Sequence, residues 1–340
     1  MDILYSVVIP VHNRSEQVLL TLTSFEKQIN AKPFEVIVVN DASTDHTSEK
    51  INDYAKNAPY PIQVVSLKER KGPAGRNDGI EKANGNYIIF CDADFLVLPN
   101  FIETHHKMHQ NHPMTVVSGT PYCYRGLYSL YFPNFTKEES TKMKQSLEKN
   151  GLWKDSYLKA SKVTNILTQE DIRNHFEKVY KGLSIYEEIG ESIKKAFLDL
   201  KNAPWLLFIT RNVSVEKKAF QEVGGFDERL FRGEDWDLGY RLYKKGYKFA
   251  IIEKEIGYHQ EHPHEYRNPF KPMFSFSKAL TEKFGKEDPE LFILSLWDSS
   301  DDLWTDIPVY KKGLSLYCSS KNSDVESVKY LLKKACQKIE

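Results

Sequence analysis

The chain has 340 residues, of which 41% are hydrophobic, so it can bury a sizeable core and disorder is not expected. Its 47 basic residues balance 47 acidic ones, and this zero net charge argues against a dedicated nucleic-acid binder, which usually carries a basic excess. A strand-like run begins at Ile3 with no signal-like segment before it, and no apolar run is long enough to span a membrane. The four cysteines are scattered and indicate reduced thiols. We therefore expect a cytoplasmic protein without a transmembrane segment.

The first third of the chain alternates short apolar runs with amphipathic segments. Runs rich in β-branched or aromatic residues predict buried strands over Tyr5–Ile9, Val36–Val39, Ile62–Ser66 and Tyr87–Cys91. The segments between them predict helices over Ser15–Gln28, Thr44–Ala55 and Ala74–Ala83. Ser43 or Thr44 is the expected cap of the second helix. This order predicts an α/β fold with a doubly wound, mostly parallel sheet, in which ligands bind at the carboxyl ends of the strands.

The middle of the chain has a different character. Residues 136–200 are dense in Lys and Glu, and Asp171–Tyr180 and Tyr186–Leu200 show helical periodicity. We predict a helical insertion, formed either by solvated helices packed on the sheet or by part of an acceptor site.

The last third returns to strands and then to helices. Trp205–Thr210 and Lys248–Ile252 predict two further strands. Residues after about 271 predict helices, and Ser323–Glu340 predicts an amphipathic terminal helix.

Two carboxylates, Asp92 and Asp94, follow directly after the predicted strand Tyr87–Cys91. Carboxylates at this spacing can converge on one cation, and Mg²⁺ or Mn²⁺ bound in this way takes other ligands from substrate phosphates. Such an ion neutralises charge on a leaving diphosphate. A pair of solvated turn residues is the alternative, and the apolar strand before the pair favours the metal site.

Two neighbouring strand ends also carry polar residues. Asp41 follows the second predicted strand and can accept a hydrogen bond from a nucleotide base, although a capped turn is the alternative. Gly72–Gly79 follows the third strand and is neither a P-loop nor a GxGxxG fingerprint. Its Arg76 opens a helix, where it can pair with a phosphate or support the two carboxylates just described.

An acidic cluster lies far downstream, between Asp227 and Asp237. Within it, Glu234 and Asp235 can bind sugar hydroxyls, and one of them can act as a general base. Trp236 beside them can stack on a sugar ring. The alternative is an exposed, capped helix start.

Three histidines, His259, His262 and His264, follow the predicted strand Lys248–Ile252. One of them can complete a metal site built otherwise from Asp oxygens, and a mixed Asp and His shell suits Mn²⁺ better than Mg²⁺. Surface histidines are the alternative, which we favour for His264.

In this order, the segments resemble the inverting family-2 glycosyltransferases with a GT-A fold, over roughly Ser6–His262 apart from the insertion. Ser6–Arg14 is similar to the family's opening strand and nucleotide loop, and Gly72–Gly79 to its glycine-containing run that ends in Ala-Arg-Asn-x-Gly. Phe208–Arg241 resembles the C-terminal segment of galactosyl- and N-acetylgalactosaminyltransferases, including chondroitin-polymerase-type domains. The departures are His12 for a more usual tyrosine, Arg70 for asparagine and Gly75 for alanine.

The resemblance implies an inverting, metal-assisted transfer of a sugar from a nucleotide-diphosphate donor, with UDP expected, to a hydroxyl group. It implies that Asp94 ligates Mn²⁺ or Mg²⁺, that Asp92 lies against ribose and metal, and that His259, or else His262, completes the metal site. Asp235 is the implied general base, and Glu234 helps to hold the acceptor. The implied donor-binding residues are Pro10, His12, Arg14, Asp41, Gly72, Arg76, Asp92 and Trp236.

The same resemblance suggests how the chain is divided. Residues 1–270 would form the GT-A catalytic domain, and 271–340 a helical C-terminal extension. Within the domain we expect a nucleotide-sugar half at 1–120, the insertion at 136–200 and an acceptor and metal half at 205–265. The expected partners are a nucleotide-sugar donor and a glycan, lipid-linked sugar or peptide acceptor, with peripheral membrane contact left open and no nucleic acid.

Two other functions stay open from the sequence. A sugar-nucleotide nucleotidyltransferase shares the layout but normally has a Gly-rich loop after the first strand, and Pro10–Arg14 contains no glycine. A non-catalytic glycan-binding protein would not need both acidic pairs.

Overall fold

The computed structural model describes residues 2–176, 179, 185–230, 233–264, 276–295 and 303–319. The elements of the first half are β1 Tyr5–Val11, α1 Ser15–Phe25, β2 Phe34–Asn40, α2 Thr47–Asn57, β3 Ile62–Ser66, α3 Arg76–Lys82, β4 Tyr87–Cys91, β5 Phe95–Val97, α4 Phe101–Asn111, β6 Thr115–Ser118, β7 Arg125–Leu127, β8 Leu130–Tyr131, α5 Lys137–Glu148, β9 Thr164–Asn165 and α6 Gln169–Asn174. Those of the second half are β10 Tyr186–Glu187, α7 Glu191–Leu198, β11 Asn212–Glu216, α8 Lys218–Val223, α9 Glu234–Lys244, β12 Lys248–Ile251, β13 Gly257–Gln260, α10 Phe276–Phe284, α11 Pro289–Ser295 and α12 Leu303–Ser319. Short 3-10 helices cover Gly72–Gly75, Tyr157–Lys159 and Pro204–Leu207.

A seven-stranded sheet with the order β12-β6-β11-β4-β1-β2-β3 forms the centre of the molecule. The β1–β2, β1–β4, β2–β3 and β6–β12 pairs are parallel, whereas β11 runs antiparallel to both β4 and β6. The central strands β1 and β4 are buried almost throughout, as expected for a parallel sheet covered on both faces. The predicted α/β, mostly parallel sheet is confirmed.

The helices of the first third begin and end close to the predicted positions. The first stops at Phe25 and the second begins at Thr47, three residues after the predicted start at Thr44. The amide of Thr47 donates to Oδ1 of Asp45, at 2.9 Å, so Asp45 rather than Ser43 or Thr44 satisfies an N–H at this helix start.

A second, four-stranded sheet has the order β10-β7-β13-β5. β5 begins directly after the Asp92–Asp94 turn that ends β4, so the two sheets adjoin at this turn. β13 pairs antiparallel with β5, with His259 opposite Phe95, and parallel with β7. This register brings the histidines of the last third of the chain close to Asp92 and Asp94.

The predicted strand Trp205–Thr210 is wrong. A 3-10 helix covers Pro204–Leu207, and the strand that joins the sheet is β11 Asn212–Glu216. A short apolar run cannot distinguish a buried strand from a buried helical turn, and a proline at the first helical position favours the turn.

The helical prediction for residues 136–200 is only partly correct. Tyr186–Glu187 is a strand, β10, and the helix expected over Tyr186–Leu200 begins only at Glu191. Tyr186 packs directly on Gly126 of β7, where a Cβ would lie 2.5 Å from the tyrosine ring. Part of the predicted Asp171–Tyr180 helix is present as α6, and Tyr180 lies outside the described residues.

The helices after residue 271 pack on the central core through Leu280, Leu291 and Ile307. The indole N–H of Trp205 donates to the carboxylate of Glu290, which ties α11 to the Pro204–Leu207 turn. The helical character of this region is confirmed where it is described, and the division at residue 270 stays a prediction. The helix expected over Ser323–Glu340 lies outside the described residues. Among the helices described, none combines the length and apolar character required to cross a bilayer.

Two glycines of the Gly72–Gly79 segment provide a matched stability test. A Cβ at Gly79 would lie 2.5 Å from Cγ1 of Val8 in the sheet, whereas the nearest atom to one at Gly75 would be Cδ1 of Leu67 at 3.3 Å. We expect Gly79→Ala to lower the free energy of unfolding by about 1–2 kcal/mol, because overpacking outweighs the gain in helix propensity. Gly75→Ala, at a helical φ of −56°, should stay within about 1 kcal/mol of wild type. Urea unfolding measures both, and equal stabilities for the two variants would contradict this packing account.

Candidate active site

The Asp92–Asp94 turn is fixed through its backbone where the two sheets meet. The Asp92 carbonyl accepts from the Phe95 amide at 3.1 Å, and the Asp94 carbonyl from the Gln260 amide at 2.7 Å. The hydroxyl of Thr21 in α1 donates to the Ala93 carbonyl at 2.8 Å. These hydrogen bonds fix the backbone that carries both carboxylates, at the carboxyl end of a central strand.

Asp94, His259 and His262 form a buried group whose ligand atoms all lie within 4.8 Å of one another. Oδ2 of Asp94 is 3.4 Å from Nε2 of His262 and 4.0 Å from Nε2 of His259. Nδ1 of His262 contacts the Pro263 carbonyl at 3.1 Å, and Nε2 faces Asp94. With a proton on Nε2 the ring donates to Asp94, and with the proton on Nδ1 the Nε2 lone pair is free for a metal ion. One carboxylate oxygen and two imidazole nitrogens are ligands that divalent transition metals accept. The predicted ligand Asp92 lies outside this group of three.

The two aspartates of the turn have different electrostatic environments. Burial by itself would raise the pKa of Asp94, but the hydrogen bond from His262 and the charges of His259 and Arg14 outweigh it and lower this pKa. Burial and the neighbouring Asp94 carboxylate raise the pKa of Asp92, against the opposing charges of Arg76 and Arg211. Asp94 is therefore a carboxylate ready to bind a cation at neutral pH.

Arg76 lies between the two acidic pairs predicted from the sequence, Asp92 with Asp94 and Glu234 with Asp235. Its Nη2 lies 3.8 Å from Oδ1 of Asp92, and its Nη1 lies 3.6 Å from Oε1 of Glu234. The guanidinium also lies over the ring of Phe226, with 5.6 Å between Cζ and the ring centroid. Of the two roles predicted for Arg76, this geometry corresponds to support of a carboxylate. Arg14 is similarly placed beside the group of Asp94, His259 and His262, with Nε 3.9 Å from Oδ2 of Asp94.

Glu234 and Asp235 open helix α9 beside this arginine. Oδ2 of Asp235 accepts from the amide and hydroxyl of Thr210, at 2.9 and 3.1 Å. Oδ1 is buried and has no hydrogen-bond partner among the described residues. Burial raises the pKa of Asp235, although Arg76 and Thr210 oppose it, and burial and Asp235 raise the pKa of Glu234. Asp235 is thus held through Oδ2, and its Oδ1 stays without a hydrogen-bond partner among the described residues.

Trp236 does not lie where a sugar could stack on it, contrary to the prediction. Only 8% of the residue is exposed, and its indole N–H donates to the Leu206 carbonyl at 2.9 Å. Tyr240, one helical turn later, is buried on the same side of α9. The amphipathic helix therefore directs Trp236 into the core.

The predicted nucleotide loop is organised around Asp41. Its two carboxylate oxygens accept from the amides of Lys71 and Gly72, at 2.7 and 2.9 Å, and Nε of Arg70 lies 3.7 Å from Oδ2. Nδ1 of His12 contacts the Asp41 carbonyl at 2.7 Å. Pro10 is in β1, in register with Val39 of β2. The structure therefore brings Pro10, His12, Asp41 and Gly72 to one edge of the sheet.

Arg211 and Glu188 are two further candidate site residues that were not predicted from the sequence. Nη1 of Arg211 lies 2.9 and 3.1 Å from the carboxylate oxygens of Glu188, and its Nε lies 4.0 Å from Oδ2 of Asp92. Burial would raise the pKa of Glu188, but Arg211 and His259 outweigh it and lower the pKa to about 2. The guanidinium lies 4.5 Å from the centroid of the Tyr124 ring. Nothing in the local sequence marked Glu188, because it is one acid among many in the Lys- and Glu-rich insertion.

Two family descriptions match adjoining parts of the chain. "Glycosyl transferase family 2" matches residues 6–159, and "Glycosyl transferase family group 2" matches residues 159–273. Together the two matches span every site residue named above.

Curated relatives include the "Uncharacterized glycosyltransferase YfnE" of Bacillus subtilis, 33% identical over 76% of this chain and 65% of that protein. The "Chondroitin synthase" of Escherichia coli is 25% identical over 76% of this chain and 35% of the relative. The chain thus spans only about one third to two thirds of the length of these relatives.

Among solved structures, S. aureus TarS 1–349 in complex with UDP-GlcNAc superimposes with a TM-score of 0.53. The match covers 98% of this chain and 79% of that chain, at 15% sequence identity. This likeness concerns the fold, and it confirms the predicted GT-A architecture.

Proposed function

Since the chain belongs to glycosyl transferase family 2, we propose that it transfers a sugar from a UDP-sugar or related nucleotide sugar to a hydroxyl acceptor, with inversion. One observation carries this proposal: a single arginine, Arg76, connects the turn that carries Asp94 of the buried Asp94, His259 and His262 group with the Glu234 and Asp235 pair. Asp92 is two residues before Asp94 in the same turn, and Arg76 lies within 4 Å of the carboxylates of both Asp92 and Glu234. A site for a leaving diphosphate and a candidate base thus adjoin.

The donor would bind along the carboxyl ends of β1, β2 and β4. Asp94, His259 and His262 would hold Mn²⁺ or Mg²⁺, and a bound ion supplies positive charge to the diphosphate. Each carboxylate oxygen of Asp41 accepts one hydrogen bond from the Lys71–Gly72 loop. The remaining lone pairs of these oxygens can accept a hydrogen bond from an N–H of the nucleotide base. Pro10, His12 and Gly72 would line the nucleoside, and Asp92 the ribose.

Asp235 would act on the acceptor. Its Oδ1 takes the proton of the acceptor hydroxyl while the acceptor oxygen bonds to the anomeric carbon. The bond from that carbon to the diphosphate oxygen breaks, and its electron pair leaves with the nucleoside diphosphate. Attack from the face opposite the leaving group inverts the anomeric centre. Glu234 would hold the acceptor, and positioning and charge complementarity would supply most of the acceleration.

Isothermal titration with UDP, in Mn²⁺ and after chelation, tests this proposal. We expect Mn²⁺ to strengthen UDP binding, because the metal group and the Asp41 loop would bind one ligand together. A non-catalytic glycan-binding protein would show no metal-dependent nucleotide binding. A nucleotidyltransferase would instead release pyrophosphate from a nucleoside triphosphate and a sugar phosphate.

A further inference from the structure

We propose that Glu188, contributed by the insertion, is a positioning residue that orients His259 for metal binding. The proposal rests on the metal site included in the proposed function. Oε2 of Glu188 lies 3.4 Å from Nδ1 of His259, and its side chain is 8% exposed. On the other side of the ring, Nε2 of His259 faces Asp94.

The hydrogen bonding of Nδ1 of His259 supports this role for Glu188. This nitrogen is buried and makes no hydrogen bond of standard geometry within the described part of the chain. Glu188 is the carboxylate that faces it. A histidine ligand usually donates its second ring N–H to a carboxylate or carbonyl, which fixes the tautomer and the ring orientation. A proton on Nδ1, directed at Glu188, leaves the Nε2 lone pair available on the side of Asp94.

Glu188 also connects this histidine to the second aspartate of the turn. Its carboxylate pairs with Nη1 of Arg211, whose Nε lies 4.0 Å from Oδ2 of Asp92. Stacking on Tyr124 holds the guanidinium in place. One carboxylate thus sets the position of a metal-binding imidazole and of the cation beside Asp92.

Glu188 directly follows β10, a short strand of the insertion at the edge of the four-stranded sheet. Tyr186 and Glu187 of β10 pair with Gly126 and Arg125 of β7, and the Glu188 amide donates to the Tyr124 carbonyl at 3.0 Å. Side chains alternate along a strand, so Glu187 points away from the site. It is 50% exposed and pairs with Arg125 instead. The insertion therefore contributes a side chain next to the proposed metal ligands, in addition to any contact that it makes with an acceptor.

Glu188→Gln and its neighbour Glu187→Gln form a matched pair for the test. Mn²⁺ is titrated calorimetrically into the full chain with a fixed concentration of UDP, and the titration into UDP alone is subtracted. We expect Glu188→Gln to weaken Mn²⁺ binding by about 10- to 100-fold, as is usual for the outer partner of a histidine ligand. Glu187→Gln should retain wild-type affinity. Thermal unfolding without metal is measured for each protein.

The outcomes separate this proposal from the metal site itself. Wild-type Mn²⁺ affinity in folded Glu188→Gln would overturn the role of Glu188 and leave the metal site intact. A lower unfolding temperature with unchanged Mn²⁺ affinity would mean that Glu188 only balances the charge of Arg211. If the wild-type chain binds no Mn²⁺, the proposed metal site fails and this inference fails with it. Should Glu188→Gln not fold, Glu188→Asp decides, because withdrawing the charge by one methylene should still weaken Mn²⁺ binding measurably, and wild-type affinity would contradict the proposal.

Discussion

Asp235→Asn is expected to lower kcat by about 10²- to 10⁴-fold, the usual contribution of a positioned proton acceptor. The amide oxygen of asparagine can still accept from Thr210, so the local structure and donor binding should change little. The variant cannot take up the proton of the acceptor hydroxyl. Release of nucleoside diphosphate in the presence of acceptor measures kcat, and titration with UDP and Mn²⁺ measures donor binding.

The pH profile adds a second readout for Asp235. A general base works in its ionised form, and burial raises the pKa of Asp235 above the ordinary value. The rate should therefore fall with decreasing pH at a higher pH than an exposed aspartate would produce. Asp235→Asn should lose this acid limb. Glu228→Gln, an exposed neighbour in the same acidic cluster, serves as the control and should keep both the rate and the limb. Retained turnover in Asp235→Asn would exclude Asp235 as the base.

Asp94→Ala is expected to remove metal activation and most activity together. Asp94 supplies the only carboxylate in the buried group with His259 and His262, as far as the chain is described. Its loss leaves two imidazoles without the charge that favours a divalent cation. We expect a loss of at least about 100-fold in kcat, since charge stabilisation by a metal amounts to several kcal/mol. Nucleoside diphosphate release is measured across a range of Mn²⁺ concentrations.

A suitable control for Asp94→Ala is Asp53→Ala, which removes an aspartate whose side chain is 66% exposed, on α2. This control should show the wild-type dependence on Mn²⁺. An unchanged Mn²⁺ activation curve in Asp94→Ala would show that the metal acts elsewhere.

The central sheet and both acidic pairs were predictable because their signals are local. Apolar runs such as Tyr87–Cys91 mark buried strands, and polar residues directly after them fall at the carboxyl edge of a parallel sheet. Asp92 and Asp94 directly follow β4, and Arg76, which was predicted to pair with a phosphate or to support these carboxylates, lies beside Asp92. His259 and His262 were alternatives in the prediction, whereas the structure places both beside Asp94.

The remaining features depend on contacts between distant parts of the chain. Nothing near Glu188 indicates a strand, since β10 forms only by pairing with β7 about sixty residues earlier. The helical Pro204–Leu207 turn is apolar throughout, so its periodicity does not identify its conformation. Trp236 follows two site residues in sequence, but its position on the helix directs it into the core.

The most direct test of the proposed activity measures nucleoside diphosphate release from a panel of nucleotide sugars, with Mn²⁺ and after chelation. We predict release from at least one donor, with UDP-sugars preferred, and its loss when the metal is removed. Release from no donor, or release that is equal with and without metal, would contradict a metal-assisted glycosyl transfer at the Asp94 site.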